Sequence, residues 1–370
     1  MATEASRAVL TVDLGAVVEN HRRLRRQAPG SEVAAVVKAD GYGLGAREVA
    51  GALWQGGARS FFVAHPDEGI ALRAALPDAS IFVLHGLQGG GGEALEGAAL
   101  IPVLNHPGEL ARYAALARRR ERRLPAALQI DSGMCRLGFA EAELSRLDRT
   151  QLEAIDLRLV MSHLACAEEA GHPFNEEQRA RFERLRLVLP EAPASLANSS
   201  GVFLGPGFHY QLCRPGVALY GVNPTPGHAN PMAPVVTLEA PVLQVHDIAA
   251  PGSVGYGATY RTRAGARIAT VPVGYADGYL RAASDRATAR IAGVEVPLAG
   301  RVSMDLIGLD VSALPADAVR PGTMVELIGG PDGVDRLAEA AGTIGYEVLT
   351  RLGRRFARSY IRPAAEKTRR

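Results

Sequence analysis

Cysteine is scarce in this chain: Cys135, Cys166 and Cys213 are the only three in 370 residues. An odd number without metal-ligand spacing argues against both a disulfide scaffold and a zinc site, so a reducing compartment, the cytoplasm, is expected. Long hydrophobic runs are lacking as well. No apolar stretch approaches the ~20 residues that a transmembrane helix needs, and the start, "MATEASRAVLTVDL", has neither the charged opening nor the apolar core of a signal peptide. A charge surplus of one sign is also missing. The formal net charge of +2 does not give the basic footprint of a dedicated nucleic-acid binder. Neither a membrane nor a nucleic acid is therefore expected as a partner, and an anionic ligand has to be held by a local site. The densest basic run, Arg118 to Arg123, is broken by Glu121 and reads as the solvated end of a helix.

From Val33 onward, short apolar runs alternate with helical patterns. "EVAAVVK" precedes "REVAGALWQGG", "FFVAH" precedes "DEGIALRAAL", "SIFVLHG" precedes "GEALEGAAL", and "LIPVLN" precedes "PGELARYAALARRR". The alternation continues through "PAALQID", "LRLVMSH" and "ASLANSS". Near-continuous apolar strands separated by helices are the pattern of a parallel sheet covered on both faces, and about eight such units predict a (β/α)8 barrel. An open doubly wound sheet is the competing topology. After the proline-rich "NPTPGHANPMAP" the texture changes to valine- and isoleucine-rich runs between Gly and Pro turns, as in "VVTLEAPVLQVHDI" and "ARIATVPVGY". This predicts a mainly β C-terminal domain with a helix near Val334 to Ala341. The expected division is residues 1–233 and 234–370.

Active sites of such barrels form at the carboxyl ends of the strands, so the residues that close each apolar run are informative. Lys38 closes the first, His85 follows the third, Asp131 closes "PAALQID", His163 closes "LRLVMSH", and Asn198 with Ser199 closes "ASLANSS". A lysine shielded from water at a barrel mouth loses preference for its ammonium form and becomes an amine able to attack a carbonyl. The usual cofactor for such a lysine is pyridoxal 5'-phosphate, whose phosphate needs backbone N–H groups and hydroxyls and whose ring nitrogen needs a partner. Ser199 in "NSSG" and Arg214, Gly216 and Val217 in "CRPGVALYG" supply candidates for both.

With "VVKADGYGLG" in place, the sequence resembles the alanine racemases, pyridoxal-phosphate enzymes of fold type III with an N-terminal barrel and a C-terminal β domain. The resemblance runs in order through "DSGMCRLG", "MSHLACAEE", "LANSSG", "CRPGVALYG", "GYGATY", "VPVGYADGY", "GRVSMD" and "GYEVLTRL". It implies that Lys38 holds the cofactor as a Schiff base and acts as one of two bases, with Tyr256 as the other. Tyr42, Ser199, Gly216, Val217 and Tyr346 match phosphate-binding positions, with Asn198 beside them. His163 matches the residue packed near the pyridine ring and Arg214 the partner of its nitrogen. Arg136 matches the arginine at the phenolic oxygen of the cofactor and, with the backbone of Met304, contacts substrate; Tyr275 and Asp305 complete the surroundings. The resemblance further implies a head-to-tail homodimer in which one chain delivers Tyr256 and Met304 to the barrel of the other.

Physical logic agrees with two bases, since inverting a Cα centre removes a proton on one face and returns one on the other. The expected activity is interconversion of L- and D-alanine, supplying D-alanine for peptidoglycan. A racemase for serine or a broader set of amino acids on the same scaffold is the alternative, followed by a non-catalytic pyridoxal-phosphate protein and a decarboxylase of the same fold type. Two departures stand out. Gln129 replaces a lysine that many members carry as a carbamate bracing the arginine, and Ser303 replaces a cysteine before Met-Asp. A neutral amide cannot balance a guanidinium, so a small anion such as chloride is expected beside Gln129 and Arg136, with Asp131 as the alternative counter-charge.

Overall fold

The computed structural model describes residues 7–362. Ala35–Val36, Ser60–Val63, Ser80–Val83, Ile101–Leu104, Leu124–Gln129, Ile155–Met161 and Ala194–Ser195 pair in sequence order into one parallel sheet. Closure comes from an eighth strand, Leu212–Cys213, which pairs in parallel with Glu32–Val33. On its other side the Gln211 and Arg214 amides donate to the carbonyls of Ala194 and Ala197, at 3.2 and 2.8 Å. The sheet thus curls into the expected barrel rather than staying open. Its strands are largely apolar because both faces are covered: Phe61, Phe62, Ile81, Val103 and Leu128 have no exposed surface.

The outer layer includes Leu14–Gln27, Ala46–Gln55, Pro66–Ala75, Pro107–Arg119 and Phe174–Arg186. The basic run does end a helix, with Arg119 paired to Glu93 and both Arg120 and Arg122 to Glu96 on the surface. Two units depart from regular alternation. Between Gln129 and Ile155 there are only the short helices Glu141–Leu144 and Arg149–Glu153, and after Ala194–Ser195 come the 3-10 turns Gly201–Phe203 and Pro206–Phe208.

The C-terminal half is mainly β. Its six-stranded sheet runs Val294–Pro297, Thr288–Ile291, Met324–Ile328, Val236–Pro241, Val9–Asp13, Ala357–Ile361, beside a three-stranded sheet of Gln244–Ile248, Ala266–Val271 and Ile307–Asp310. The helix expected near Val334 spans Gly333–Ala341. The first strand of the chain, Val9–Asp13, lies in this sheet, antiparallel to Val236–Pro241 and parallel to Ala357–Ile361. Asp13 then caps the helix Leu14–Gln27 by accepting from the Ala16 amide at 2.9 Å, which ties the sheet directly to the barrel's outer layer.

Candidate active site

Lys38 leaves the barrel strand where the Val36 and Val37 amides donate to the carbonyls of Pro215 and Phe62. The next four residues are all left-handed: Ala39, Asp40, Gly41 and Tyr42 have φ of 53°, 54°, 62° and 56°. That conformation costs roughly 1–2 kcal/mol for each L-residue with a Cβ, and it persists only where the surroundings over-determine it. Here they do. The Gly43 amide donates to Ala39 O at 2.7 Å and the Gly45 amide to Asp40 O at 2.8 Å, while Asp40 Oδ1 accepts from the Ala46 amide at 3.0 Å. From the last strand, Arg358 Nη1 donates to Gly43 O at 2.6 Å and the Tyr360 hydroxyl to Leu44 O at 3.0 Å.

The half-buried Lys38 has its pKa lowered, first by burial and then by the positive charge of Arg136, with Glu68 acting in the opposite direction. A larger neutral fraction is what a nucleophilic or proton-accepting amine requires.

Around Lys38 the barrel mouth gathers most of the other expected residues. Tyr42 is buried, with its ring 4.7 Å from Tyr220 and 6.1 Å from Tyr346, the latter on the helix Gly345–Arg351 of the C-terminal half. Asn198 Oδ1 accepts from the Gly201 amide at 2.8 Å, starting the 3-10 turn. Ser199 Oγ accepts from the Gly216 and Ala218 amides at 2.9 and 3.2 Å. Val217 opens the following 3-10 turn, Val217–Tyr220. A Cβ at Gly216 would lie 2.1 Å from the Tyr42 hydroxyl oxygen, so only glycine leaves that space free.

Arg214 is buried and donates to Ser195 Oγ and to Ser162 O. Among the described residues no carboxylate pairs with it, and burial pushes its pKa down to about 10. It remains a cation at neutrality. His163 is pushed down to about 3 by burial, reinforced by the charges of Arg214, Arg136 and Lys38, so its ring stays neutral. Ser162, Ser132 and Gln178 extend a buried polar chain beneath these residues, Ser132 Oγ lying 2.7 Å from Ser162 Oγ and Gln178 Nε2 donating to His163 O at 3.0 Å.

Arg136 is exposed on the loop after the fifth strand. Asp131 does not pair with it. Asp131 Oδ1 accepts instead from the Gly133 and Cys135 amides at 2.8 and 3.0 Å, folding its own loop. The buried Gln129 donates from Nε2 to Leu137 O at 3.1 Å, bracing the same loop by a neutral bond.

The remaining residues form a second group. Tyr256 sits between Gly255 and Gly257, both at φ 72°, and is 70% exposed; Met304 is 54% and Tyr275 43% exposed. Tyr256 and Ser303 line a cleft of about 410 Å³ with Arg301 and Leu306. The Tyr275 and Ala276 amides donate to the carbonyls of Ser303 and Met304, both at 3.0 Å, and Arg355 bridges Asp305 at 2.8 Å and the buried Asp277 at 3.1 Å. No hydrogen bond, ion pair or ring contact joins this group to the barrel mouth among the described residues. Sequence reasoning missed Glu68, Ser195, Arg355 and Arg358, which act through neighbours.

A lysine of lowered pKa at a barrel mouth, beside an anion cradle and a buried guanidinium without an acid, defines the barrel class of enzymes that hold pyridoxal phosphate on a lysine. The family description "Alanine racemase, N-terminal domain" matches residues 12–224, and "Alanine racemase, C-terminal domain" matches residues 235–360. A protein named "Alanine racemase, catabolic" from Mesorhizobium japonicum is 52% identical over 362 residues, covering 96% of this chain and 94% of its own. An alanine racemase of Rhodospirillum rubrum is 52% identical over 357 residues, covering 95% and 96%. The crystal structure of alanine racemase from Bartonella henselae with covalently bound pyridoxal phosphate superposes with a TM-score of 0.92 at 39% identity, over 96% of this chain and all of that one. The chain belongs to the alanine racemases, a family of pyridoxal-phosphate-dependent enzymes. Its own geometry fits that cofactor: glycine at 216 keeps space beside the Tyr42 and Ser199 hydroxyls, and Arg214 offers a buried cation with no acidic partner among the described residues.

Proposed function

We propose that this protein interconverts L- and D-alanine with pyridoxal phosphate held on Lys38, and that Lys38 and Tyr256 are its two bases. The observation that carries the reading is Lys38 itself, a half-buried amine of lowered pKa on a braced turn at the barrel mouth. Tyr42, Ser199, Tyr346 and the Gly216 and Val217 amides would hold the phosphate, with Asn198 fixing the turn beside them. His163 would lie against the ring as a neutral surface, Arg214 would face the ring nitrogen, and Arg136 the phenolic oxygen. When bound, the cofactor supplies an electron-withdrawing ring conjugated to the substrate Cα.

The chain's residues supply the rest. The Lys38 amine takes or returns the Cα proton on one face and the Tyr256 hydroxyl on the other. The Met304 amide and Arg136 orient the substrate carboxylate, and Arg355, through Asp305 and Asp277, steadies the Met304 segment. Because Arg214 keeps its own proton at neutrality, it leaves the ring nitrogen largely unprotonated, a moderate electron sink that favours racemisation over transamination. Tyr256 and Met304 are exposed and uncontacted by the barrel group, which supports a head-to-tail homodimer with shared sites. Among the described residues Arg136 has no acidic partner, and Asp131 is committed to its own loop; both support a chloride beside Gln129 and Arg136. Replacing chloride by a bulky, weakly coordinating anion should then reduce activity, and indifference to that exchange would remove the anion. Free cysteines at 135, 166 and 213, and no described helix long and apolar enough to cross a membrane, support a cytoplasmic enzyme.

The direct test is reduction of the purified yellow protein with borohydride, followed by peptide mapping. Lys38 and Lys367 are the only lysines in the sequence, and the phosphopyridoxyl mass is expected on Lys38. Racemisation of a panel of L-amino acids, with α-hydrogen exchange in heavy water, should rank alanine first; serine ranking first would favour the alternative substrate. We place the D-alanine in peptidoglycan synthesis. The relative named catabolic favours a second role, consumption of D-alanine, and a deletion strain that grows without added D-alanine would support it.

A further inference from the structure

Glu68 carries no role in the reading above, yet it touches the turn that follows Lys38. It is the third residue of the helix Pro66–Ala75. One carboxylate oxygen accepts from the Ala64 and His65 amides at 2.7 and 3.1 Å, and the other reaches across to the Ala39 amide at 2.6 Å. One side chain thus binds the second strand's exit to the lysine turn on the first.

The same device recurs two strands on. "HPDEG" at 65–69 has a counterpart in "HPGEL" at 106–110, where Glu109 begins the helix Pro107–Arg119 in the same way. Glu109 Oε2 accepts from the Asn105 amide at 2.8 Å, and Oε1 accepts from the Leu87 amide at 2.8 Å on the preceding loop. The fold therefore contains its own comparison. Glu109 staples the loop that follows His85, a strand-end residue with no part in holding the cofactor or substrate in the reading above, whereas Glu68 staples the loop of Lys38.

We propose that Glu68 is a positioning residue for Lys38, its carboxylate holding the left-handed turn that fixes the lysine at the barrel mouth. The Ala39 amide donates to a carboxylate that the Ala64 and His65 amides hold in place, and this bond helps to offset the unfavourable φ of Ala39, Asp40 and Tyr42, since bonds to a charged acceptor are worth more than neutral ones. Glu68 is also the negative charge acting on Lys38 against Arg136. The functional consequence rests on Lys38 being the cofactor-bearing lysine; the structural one does not.

The test compares Glu68→Gln, Glu68→Asp and Glu109→Gln in the full chain by amide hydrogen exchange and by titration with pyridoxal phosphate. Glu68→Gln keeps length and one acceptor oxygen but loses the charge. Glu68→Asp keeps the charge but is too short to span both loops. Both should speed exchange in residues 38–45 about tenfold and raise the half-saturating cofactor concentration by a similar factor. Glu109→Gln should speed exchange only in residues 85–90 and leave cofactor binding unchanged. Exchange in 38–45 within twofold of wild type in both Glu68 variants would overturn the proposal. So would equal weakening of cofactor binding by Glu109→Gln, which would make the effect a general loss of stability. Failure of borohydride to label Lys38 in the unaltered protein would instead sink the cofactor reading, and the exchange comparison would still decide the staple.

Discussion

Tyr256 is the residue whose role depends most on chemistry outside its own environment, because it stands 70% exposed on a 3-10 turn. A phenol hydroxyl is a weak base unless positive charge is brought near it. Tyr256→Phe keeps the ring and removes only the hydroxyl, so the cofactor's absorption band should persist while racemisation falls by roughly 10²–10⁴-fold. Solvent exchange of the α-hydrogen should then survive from one enantiomer only; equal, undiminished exchange from both would end the two-base reading. His163 makes a different prediction, about stability. Its folded pKa is pushed down to about 3, whereas the unfolded chain protonates near 6.5. Between those values the unfolded state binds more protons, so stability is fully present above about pH 6.5 and is lost as pH falls toward 3, at up to ~1.4 kcal/mol per unit. His21 is also lowered by burial and contributes with the same sign. The difference between wild type and His163→Asn isolates one ring, and thermal midpoints from pH 7 to pH 5 should fall less steeply in the variant.

At the scale of elements, the lysine turn is held from outside as well as within. Gly43, at φ 82°, packs so closely on the helix Gly345–Arg351 that an added Cβ would sit 2.6 Å from Leu349 O. Gly43→Ala combines that clash with a positive φ and should cost on the order of 2–3 kcal/mol in urea unfolding. It should also weaken cofactor binding, because the same helix carries Tyr346 to Tyr42; unchanged cofactor affinity would uncouple the two. How much of this was legible differs by element. The barrel strands read directly because both faces are buried, leaving apolar runs such as Ile101–Leu104, and Lys38, His163, Asn198 and Ser199 read as polar closures of such runs. The left-handed turn did not, because only Gly41 among Ala39 to Tyr42 favours positive φ, and the bonds that enforce the rest come from Glu68, Arg358 and Tyr360, distant in sequence. Val9–Asp13 was equally hidden, since its partners lie more than 200 residues away. Tyr256 and Met304 were recognisable only through their motifs, because an exposed residue on a turn between strands leaves no periodic trace. Gln129 was read as a lost charge, but its bond to Leu137 O needed the structure.

For the whole molecule, the decisive fact is that the expected site falls into two sets. Lys38, Tyr42, His163, Arg214 and Tyr346 gather at the barrel mouth, while Tyr256, Tyr275 and Met304 stand exposed around the C-terminal sheets with Leu306 at 41%. A cluster of exposed tyrosine, methionine and leucine is the kind of surface that association between chains buries. If a second copy covers it head to tail, each site takes its lysine from one chain and its tyrosine from the other. Mixing Lys38→Ala with Tyr256→Phe chains then produces a hybrid dimer in which one site has lost both bases and the other has kept both. With equal mixing and free exchange, half of the dimers are hybrids with one working site of two, so activity should return to about a quarter of wild type. Dilution below the dimer's dissociation constant should abolish the recovered activity. Chain exchange demonstrated by mass-tagged copies, with no activity recovered, would mean that each chain completes its own site and that Tyr256 reaches Lys38 by a movement within one molecule.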